Sequence, residues 1–148
     1  MAFELTVAGR HSIPPNLSEL WPEALRPHGI ACAIHPEFSP GTWKVDAMPS
    51  TLIGTELKAP ALSGFEVNFH GGSASFRSAI GRTSTEFALL CLCAAELACM
   101  TDGVYRDPQS GKDHQGEDAR TAALAEIKGL LAYGGRGLLT QHPFSAWT

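Results

Sequence analysis

The cysteines are the first side chains in this sequence that could do chemistry, as metal ligands or as redox-active thiols. Cys91 and Cys93 lie inside an apolar segment that predicts a helix, and residues two apart on a helix point about 200° away from each other. Cys99 follows further along the same segment, about 12 Å from Cys91 along a helix axis, which is too far for a disulfide bond. We therefore expect these thiols, and Cys32 in a strand, to be reduced and packed in the core.

The histidines are dispersed and do not predict a metal centre. They occupy positions 11, 28, 35, 70, 114 and 142. No two of them have the i, i+4 spacing of a zinc-binding helix. We predict no metal ion and no other cofactor.

Two glycine-rich segments have the composition of loops that bind an oxyanion or a phosphate. His70-Gly71-Gly72-Ser73 is similar to the oxyanion loop of esterases, but those enzymes also need a Gly-x-Ser-x-Gly turn, which this sequence lacks. Gly134-Gly135-Arg136-Gly137 lacks the preceding strand and the following helix that a phosphate-binding loop requires. We interpret the first segment as a hairpin turn and the second as a helix end, and we predict no catalytic residue.

A cluster of carboxylates is the remaining functional candidate. The five acidic residues are interspersed with Arg106, Lys112 and Arg120. They are Asp102, Asp107, Asp113, Glu117 and Asp118. Glu117 and Asp118 suit the first turn of a helix, where negative charge is stabilised. The cluster as a whole is either a solvated face or a docking surface for a basic partner.

Two aromatic residues complete the predicted docking surface, because aromatic side chains anchor many protein interfaces. Trp43 lies in a segment without clear periodicity, and Tyr105 adjoins the acidic cluster; core packing is the alternative for each. The predicted partner-binding residues are therefore Trp43, Asp102, Tyr105, Asp107, Asp113, Glu117 and Asp118.

The segments that carry these residues predict an α+β fold with a mostly antiparallel sheet of about 4–6 strands. Apolar and polar residues alternate with the period of a half-buried strand in several places. These segments are Phe3–Val7, Ile30–Ile34, Phe65–Phe69 and Ser75–Ile80, with shorter strands expected at Thr42–Val45 and Val104–Tyr105.

The segment from Ser84 to about Met100 predicts the central helix. Thr83 and Glu86 form a capping box at its start. The helix is apolar on almost every side, which predicts burial between the sheet and another helix. Glu96 is the exception, and it either reaches solvent or pairs with an arginine such as Arg77 or Arg82.

Two further helices flank this one in the sequence. Asn16 and Glu19 have capping-box form at the start of a short N-terminal helix that ends by Gly29. The last helix spans Glu117–Tyr133. Its inner stripe is predicted to contain Leu124, Ile127, Leu131 and several alanines.

Length and charge restrict the class of protein. The 148 residues suit one α+β domain, 1–148, with 137–148 expected as a loosely attached tail. The formal net charge of −4 argues against direct nucleic-acid binding, and the longest apolar segment is too short to span a membrane. The opening segment, Met1–Val7, has no basic region, so we expect no secretory signal and a cytoplasmic, reduced protein.

Three segments of the sequence resemble small bacterial immunity proteins of polymorphic-toxin and type VI secretion effector–immunity pairs. The first is the opening Met1-Ala2-Phe3-Glu4-Leu5-Thr6-Val7, followed by a proline-led helix. The second is Ser63-Gly64-Phe65-Glu66. The third is Ala94-Ala95-Glu96-Leu97-Ala98 with the segment that begins Thr101-Asp102-Gly103-Val104-Tyr105 and continues to Gly111. The resemblance covers about two-thirds of the chain.

The resemblance implies a protein without catalytic activity that binds a cognate toxin one-to-one and covers its active site. A cytosol-acting toxin is expected, and a nuclease best suits an acidic inhibitor because its cleft is basic. The alternatives are a small enzyme with a site assembled from His70, Arg106 and Asp107, or a structural adaptor associated with a phage or a secretion system.

Overall fold

The computed structural model of the chain describes residues 2–34, 42–54, 57, 60–79 and 83–133. The predicted tail, 137–148, the glycine-rich segment 134–137 and Arg82 lie outside the described residues.

The described chain folds into strands and helices in the following order. The strands are β1 (Ala2–Ala8), β2 (Ala31–Ile34), β3 (Thr42–Ala47), β4 (Ala61–Gly64), β5 (Glu66–His70), β6 (Ser73–Ala79), β7 (Val104–Asp107) and β8 (Lys112–Gln115). The helices are α1 (Leu17–Leu25), α2 (Ser50–Ile53), α3 (Ser84–Met100) and α4 (Glu117–Tyr133), with a 3-10 helix at Arg26–His28. The α+β prediction is confirmed.

Two antiparallel sheets form from these strands. The larger sheet has the order β5-β6-β1-β7-β8, so β1 lies at its centre with β6 and β7 on either side. The smaller sheet has the order β2-β3-β4. The sequence analysis predicted a single sheet, because β4 and β8 have no clear alternation of apolar and polar residues and were not recognised as strands.

Helix α3 lies at the centre of the molecule, as predicted. All its side chains from Ser84 to Ala98 are buried, and it packs against α4 and α1 as well as strands β1 and β6. The cap also forms, because the backbone N–H of Glu86 donates to Thr83 Oγ1 at 3.1 Å. The Glu86 carboxylate accepts a hydrogen bond from Ser78 Oγ at 2.6 Å, which ties the start of the helix to β6.

The two outer helices differ from their predictions in detail. The Asn16 side chain makes no capping hydrogen bond; its carbonyl accepts instead from the N–H of Glu19. Helix α4 has its predicted bounds, with Ala119, Ala123 and Ile127 buried. Leu124, however, is exposed, because the helix turns it away from α3.

In the described chain, buried side chains from both sheets and from helices α1 to α4 pack together in one hydrophobic core. Trp21 and Trp43 lie in its middle, and the indole N–H of Trp21 donates to the carbonyl of Cys93 at 3.0 Å. None of the helices among the described residues combines the length and the apolarity needed to cross a bilayer.

Candidate functional site

The acidic cluster lies at the edge of the large sheet and at the start of α4, and the structure divides it into exposed and buried members. Asp102, Asp113, Glu117 and Asp118 are exposed. Asp107 is buried. The docking prediction is therefore wrong for Asp107, because strand alternation turns this carboxylate to the opposite face of the sheet from Arg106.

Arginines neutralise most of the exposed carboxylates. Arg106 donates to both oxygens of Asp113, at 2.7 and 2.9 Å, and this pairing lowers the pKa of Asp113. Asp102 lies 3.5 Å from Arg10, and Glu117 pairs with Arg120. Of the four exposed members, Asp118 is the one that has no ion-pair partner in the described part of the chain. The cluster is less negative as a surface than its sequence indicates.

Both predicted aromatic anchors are completely buried. Trp43 packs between Trp21 and Phe65. Tyr105 lies on the inner side of β7 and donates its hydroxyl proton to Glu126. Neither ring is a surface anchor, so the core-packing alternative describes both. Aromatic identity alone could not distinguish the two roles.

The structure does not assemble the enzyme site considered for His70, Arg106 and Asp107. His70 ends β5, at one edge of the sheet, and three strand spacings separate it from β7. That distance is about 14 Å. Arg106 and Asp107 point to opposite faces of β7, and Arg106 is already paired with Asp113.

The outer face of the large sheet is a surface that the described helices leave open. Helices α3 and α4 cover its inner face, on which Leu5, Phe76 and Tyr105 are buried. The side chains at the alternate positions of the same strands point outward, and all are exposed or partly exposed. They include Glu4, Thr6, Glu66, Asn68, His70, Ser75, Arg77, Arg106, Asp113 and Gln115. The surface is polar and carries both signs of charge.

Strand register arranges the outer face in rows. Asn68, Ser75, Thr6, Arg106 and Asp113 lie opposite one another and form one row across all five strands. A neighbouring row places Arg77 between Glu66 and Glu4, at 3.9 and 3.8 Å. Small side chains leave a depression of about 240 Å³ between these rows. One arginine for two carboxylates makes this row net negative.

On the opposite, helical side, Glu96 forms the most strongly paired charge cluster in the described chain. Its side chain is 5% exposed. Arg120 donates from Nε to Oε1 at 2.8 Å and from Nη2 to Oε2 at 2.9 Å, and His28 Nε2 lies 3.1 Å from Oε1. Burial alone would raise the pKa of Glu96, but the hydrogen bonds from His28 and Arg120 outweigh it and lower the pKa to about 2.

The Glu96 pair forms one end of a pocket of about 610 Å³ between α1, α3 and α4. The apolar walls are Leu20, Ala24, Pro27 and Met100. Sequence analysis expected Glu96 either to reach solvent or to pair with an arginine such as Arg77 or Arg82; it is buried and paired. The partner is Arg120, because α4 packs along α3, whereas Arg77 is on the outer face of the sheet between Glu4 and Glu66.

Glu126 forms a second buried polar cluster on α4. It accepts a hydrogen bond from the hydroxyl of Tyr105, lies 3.8 Å from Cys91 Sγ and is close to the carboxylate of Asp107. Burial and the neighbouring Asp107 raise its pKa to about 8, although the Tyr105 hydrogen bond acts in the opposite direction. At neutral pH the Glu126 carboxyl is therefore mostly protonated.

Sequence reasoning overlooked His28, Arg120 and Glu126. A signal existed for Glu126, which lies seven residues after Ala119 and three after Ala123. Those spacings place a carboxyl on the buried stripe of α4. No comparable signal indicated His28, because its position beside Glu96 depends on how α1 packs against α3.

The cysteines face separate surroundings, as their helical spacing predicts. Cys91 is near Glu126 and Tyr105, whereas Cys93 is near Cys32. Burial raises the pKa of each of these two thiols. Within the described ranges, no three His, Cys, Asp or Glu side chains are grouped closely enough to hold a metal ion.

Neither a protein-family model, nor a curated protein sequence, nor a solved structure matches this chain.

Proposed function

We propose that this chain is the immunity protein of a toxin–immunity pair, which binds a cytosol-acting bacterial toxin one-to-one and covers its active site. The outer face of the large sheet is the observation that carries the proposal. A polar sheet face that spans five strands suits a protein partner better than a small substrate. The three sequence segments that resemble immunity proteins support the same proposal.

The outer face of the large sheet can supply part of a specific interface. Its five strands, spaced by about 4.8 Å, are about 19 Å wide, and strands of four to seven residues have an average length of about 18 Å. The flat projection is thus about 350 Å², a little under half of the roughly 800 Å² that each partner contributes to a standard interface.

Charge favours a partner that is basic. The outer face has more carboxylates than arginines in the row of Glu4, Arg77 and Glu66. A nuclease presents a basic cleft to the phosphate backbone of its substrate. We therefore propose a cytoplasmic nuclease as the toxin.

Co-expression with the toxin encoded beside this chain tests the proposal. We expect this chain to restore growth of toxin-producing cells and an unrelated acidic protein of similar size to have no effect. A pull-down from the native host should recover the same toxin in a one-to-one complex. Failure to rescue growth with both proteins folded would refute the immunity function.

A matched pair of substitutions tests which surface binds the toxin. Thr6→Arg adds a long cation at the centre of the outer face, whereas Thr121→Arg makes the same change at an exposed position of α4. We expect Thr6→Arg to abolish rescue and Thr121→Arg to preserve it, with the same circular-dichroism spectrum for both variants. The reverse result would place the interface on the helical side.

A further inference from the structure

The pocket on the helical side has the features of a small-molecule site, and it is separate from the outer face of the sheet. Its volume of about 610 Å³ falls within the usual range for ligand pockets, roughly 300–1,000 Å³. Leu20, Ala24 and Met100 give it apolar walls, and Glu96 and Arg120 give it a charged end. Mostly apolar walls with a few convergent polar groups are typical of ligand-binding pockets.

Within the charged end, Glu96 is fully used by the protein itself. Both of its oxygens accept from Arg120, and Oε1 also lies beside His28. The nearly buried carboxylate therefore has little capacity for a ligand. Its effect is to fix the guanidinium of Arg120 at the wall of the pocket.

Arg120 retains the binding capacity that Glu96 lacks. A guanidinium has five N–H donors; two of them bind Glu96, and one on Nη1 binds Glu117. Glu117 is 82% exposed, and an exposed ion pair between residues three apart on a helix contributes little free energy. The Nη edge of Arg120 is therefore accessible to a competing anion.

We propose that this pocket binds a small organic monocarboxylate with an apolar body. The ligand carboxylate accepts hydrogen bonds from the Nη edge of Arg120, in competition with Glu117, and the apolar body lies along Leu20, Ala24 and Met100. A monoanion fits better than a phosphate, because Glu96 and Glu117 repel a second negative charge. Arg120 Nη1 already donates to the carboxylate of Glu117, so this edge of the guanidinium binds a carboxylate in the structure itself.

A pair of probes that differ in one group tests the ligand class. The probes are 4-phenylbutyrate and 4-phenylbutan-1-ol, titrated into 15N-labelled protein while amide shifts are recorded. We expect saturable shifts for residues 20–28, 99–100 and the first turn of α4. The carboxylate should bind about tenfold more tightly, the effect of one charge-assisted hydrogen bond. Equal affinities of the acid and the alcohol, or shifts that do not saturate, would overturn the proposal.

A matched pair of variants tests the role of Arg120 without disturbing the Glu96 pair. Glu117→Gln removes the competing carboxylate, and Asp118→Asn removes the same charge from the neighbouring position of the same turn. We expect Glu117→Gln to tighten 4-phenylbutyrate binding about threefold, the value of an exposed ion pair. Asp118→Asn should leave it unchanged. Equal effects of the two substitutions, or no effect of either, would contradict carboxylate binding at Arg120.

Discussion

Glu96 and Glu126 lie on adjacent helices that pack against each other, yet their surroundings give their carboxyl groups opposite ionisation states. Glu96 faces Arg120 and His28, and its pKa falls to about 2. Glu126 faces Asp107, Tyr105 and Cys91, and its pKa rises to about 8. Burial opposes charge in both places, so the difference comes from the neighbours: a guanidinium at Glu96 and a second carboxyl at Glu126.

The two glutamates therefore have opposite effects on the pH dependence of stability. For Glu96, the unfolded state binds more protons between pH 2 and 4.5, so the free energy of unfolding falls as the pH drops through that range. For Glu126, the folded state binds more protons between pH 4.5 and 8, so the free energy of unfolding falls as the pH rises.

The largest effect is expected at the Glu96 cluster when its cation is removed. Arg120→Met leaves a nearly buried carboxylate without its guanidinium, and we expect a loss of about 3 kcal/mol in the free energy of unfolding at pH 7. This is the lower end of the range for a broken buried ion pair, because Arg120 is itself 34% exposed. Urea denaturation measures the change.

Arg106→Met is the matched control for that experiment. Arg106 also pairs with a carboxylate through two hydrogen bonds, but both partners are exposed. We expect little change in stability from its substitution. Similar losses for Arg106→Met and Arg120→Met would mean that burial does not distinguish the two ion pairs.

Removing the charge of Glu96 itself should cost less. Glu96→Gln keeps the shape of the side chain and loses charge-assisted hydrogen bonds, for an expected loss of about 2 kcal/mol at pH 7. Wild-type Glu96 is protonated only near pH 2. The difference in the free energy of unfolding between wild type and Glu96→Gln should therefore shrink as the pH falls below 4.5. Chemical denaturation at pH 7 and at pH 3 tests this. A difference that stays constant with pH would contradict a lowered pKa.

At the other cluster, Glu126→Gln should increase stability at high pH. Gln keeps a hydrogen-bonding group toward Tyr105 and Asp107 but never ionises. We expect the variant and the wild type to have nearly equal free energies of unfolding at pH 5. At pH 8 we expect the variant to gain about 1.5 kcal/mol, which is less than the full pKa shift implies because Glu126 is partly exposed. Thermal unfolding at both pH values measures the difference. A loss at pH 8 would show that wild-type Glu126 is a stabilising anion.

The smallest effect is expected from Tyr105→Phe, which removes the hydroxyl donor to Glu126. We expect a loss of about 1 kcal/mol from this hydrogen bond. Because the Tyr105 hydrogen bond lowers the pKa of Glu126, the pKa of that carboxyl should rise further. Carbon-13 NMR titration of the Glu126 carboxyl measures the shift. A fall in this pKa would rule out Tyr105 as a donor to Glu126.

Local signals in the sequence predicted the three longer helices, whereas the short helix α2 was not predicted. The Thr83 cap and the uniformly apolar segment after it gave the position and the burial of α3, and the last helix has the predicted bounds Glu117–Tyr133. The polar strand β8 was overlooked, because its residues pair with β7 through a turn and bury little apolar surface.

The charge clusters were harder to predict than the helices. Glu96 stood out in an apolar helix, but many arginines could have reached it, and only the packing of α4 on α3 selects Arg120. Asp107 was predicted at the surface and is buried, whereas for Tyr105 the structure selects the core-packing alternative over the docking role. Successive side chains of a strand point to opposite faces of the sheet, so a shift of one residue exchanges a surface position for a core position.

The central position of β1 in the large sheet has a consequence for synthesis of the chain. Its neighbours are β6, Ser73–Ala79, and β7, Val104–Asp107, which leave the ribosome much later than β1 does. At roughly 5–20 residues per second, the apolar side chains Phe3, Leu5 and Val7 wait on the order of 10 s for their first strand partner. The large sheet therefore cannot begin to assemble from β1 until β6 has been synthesised.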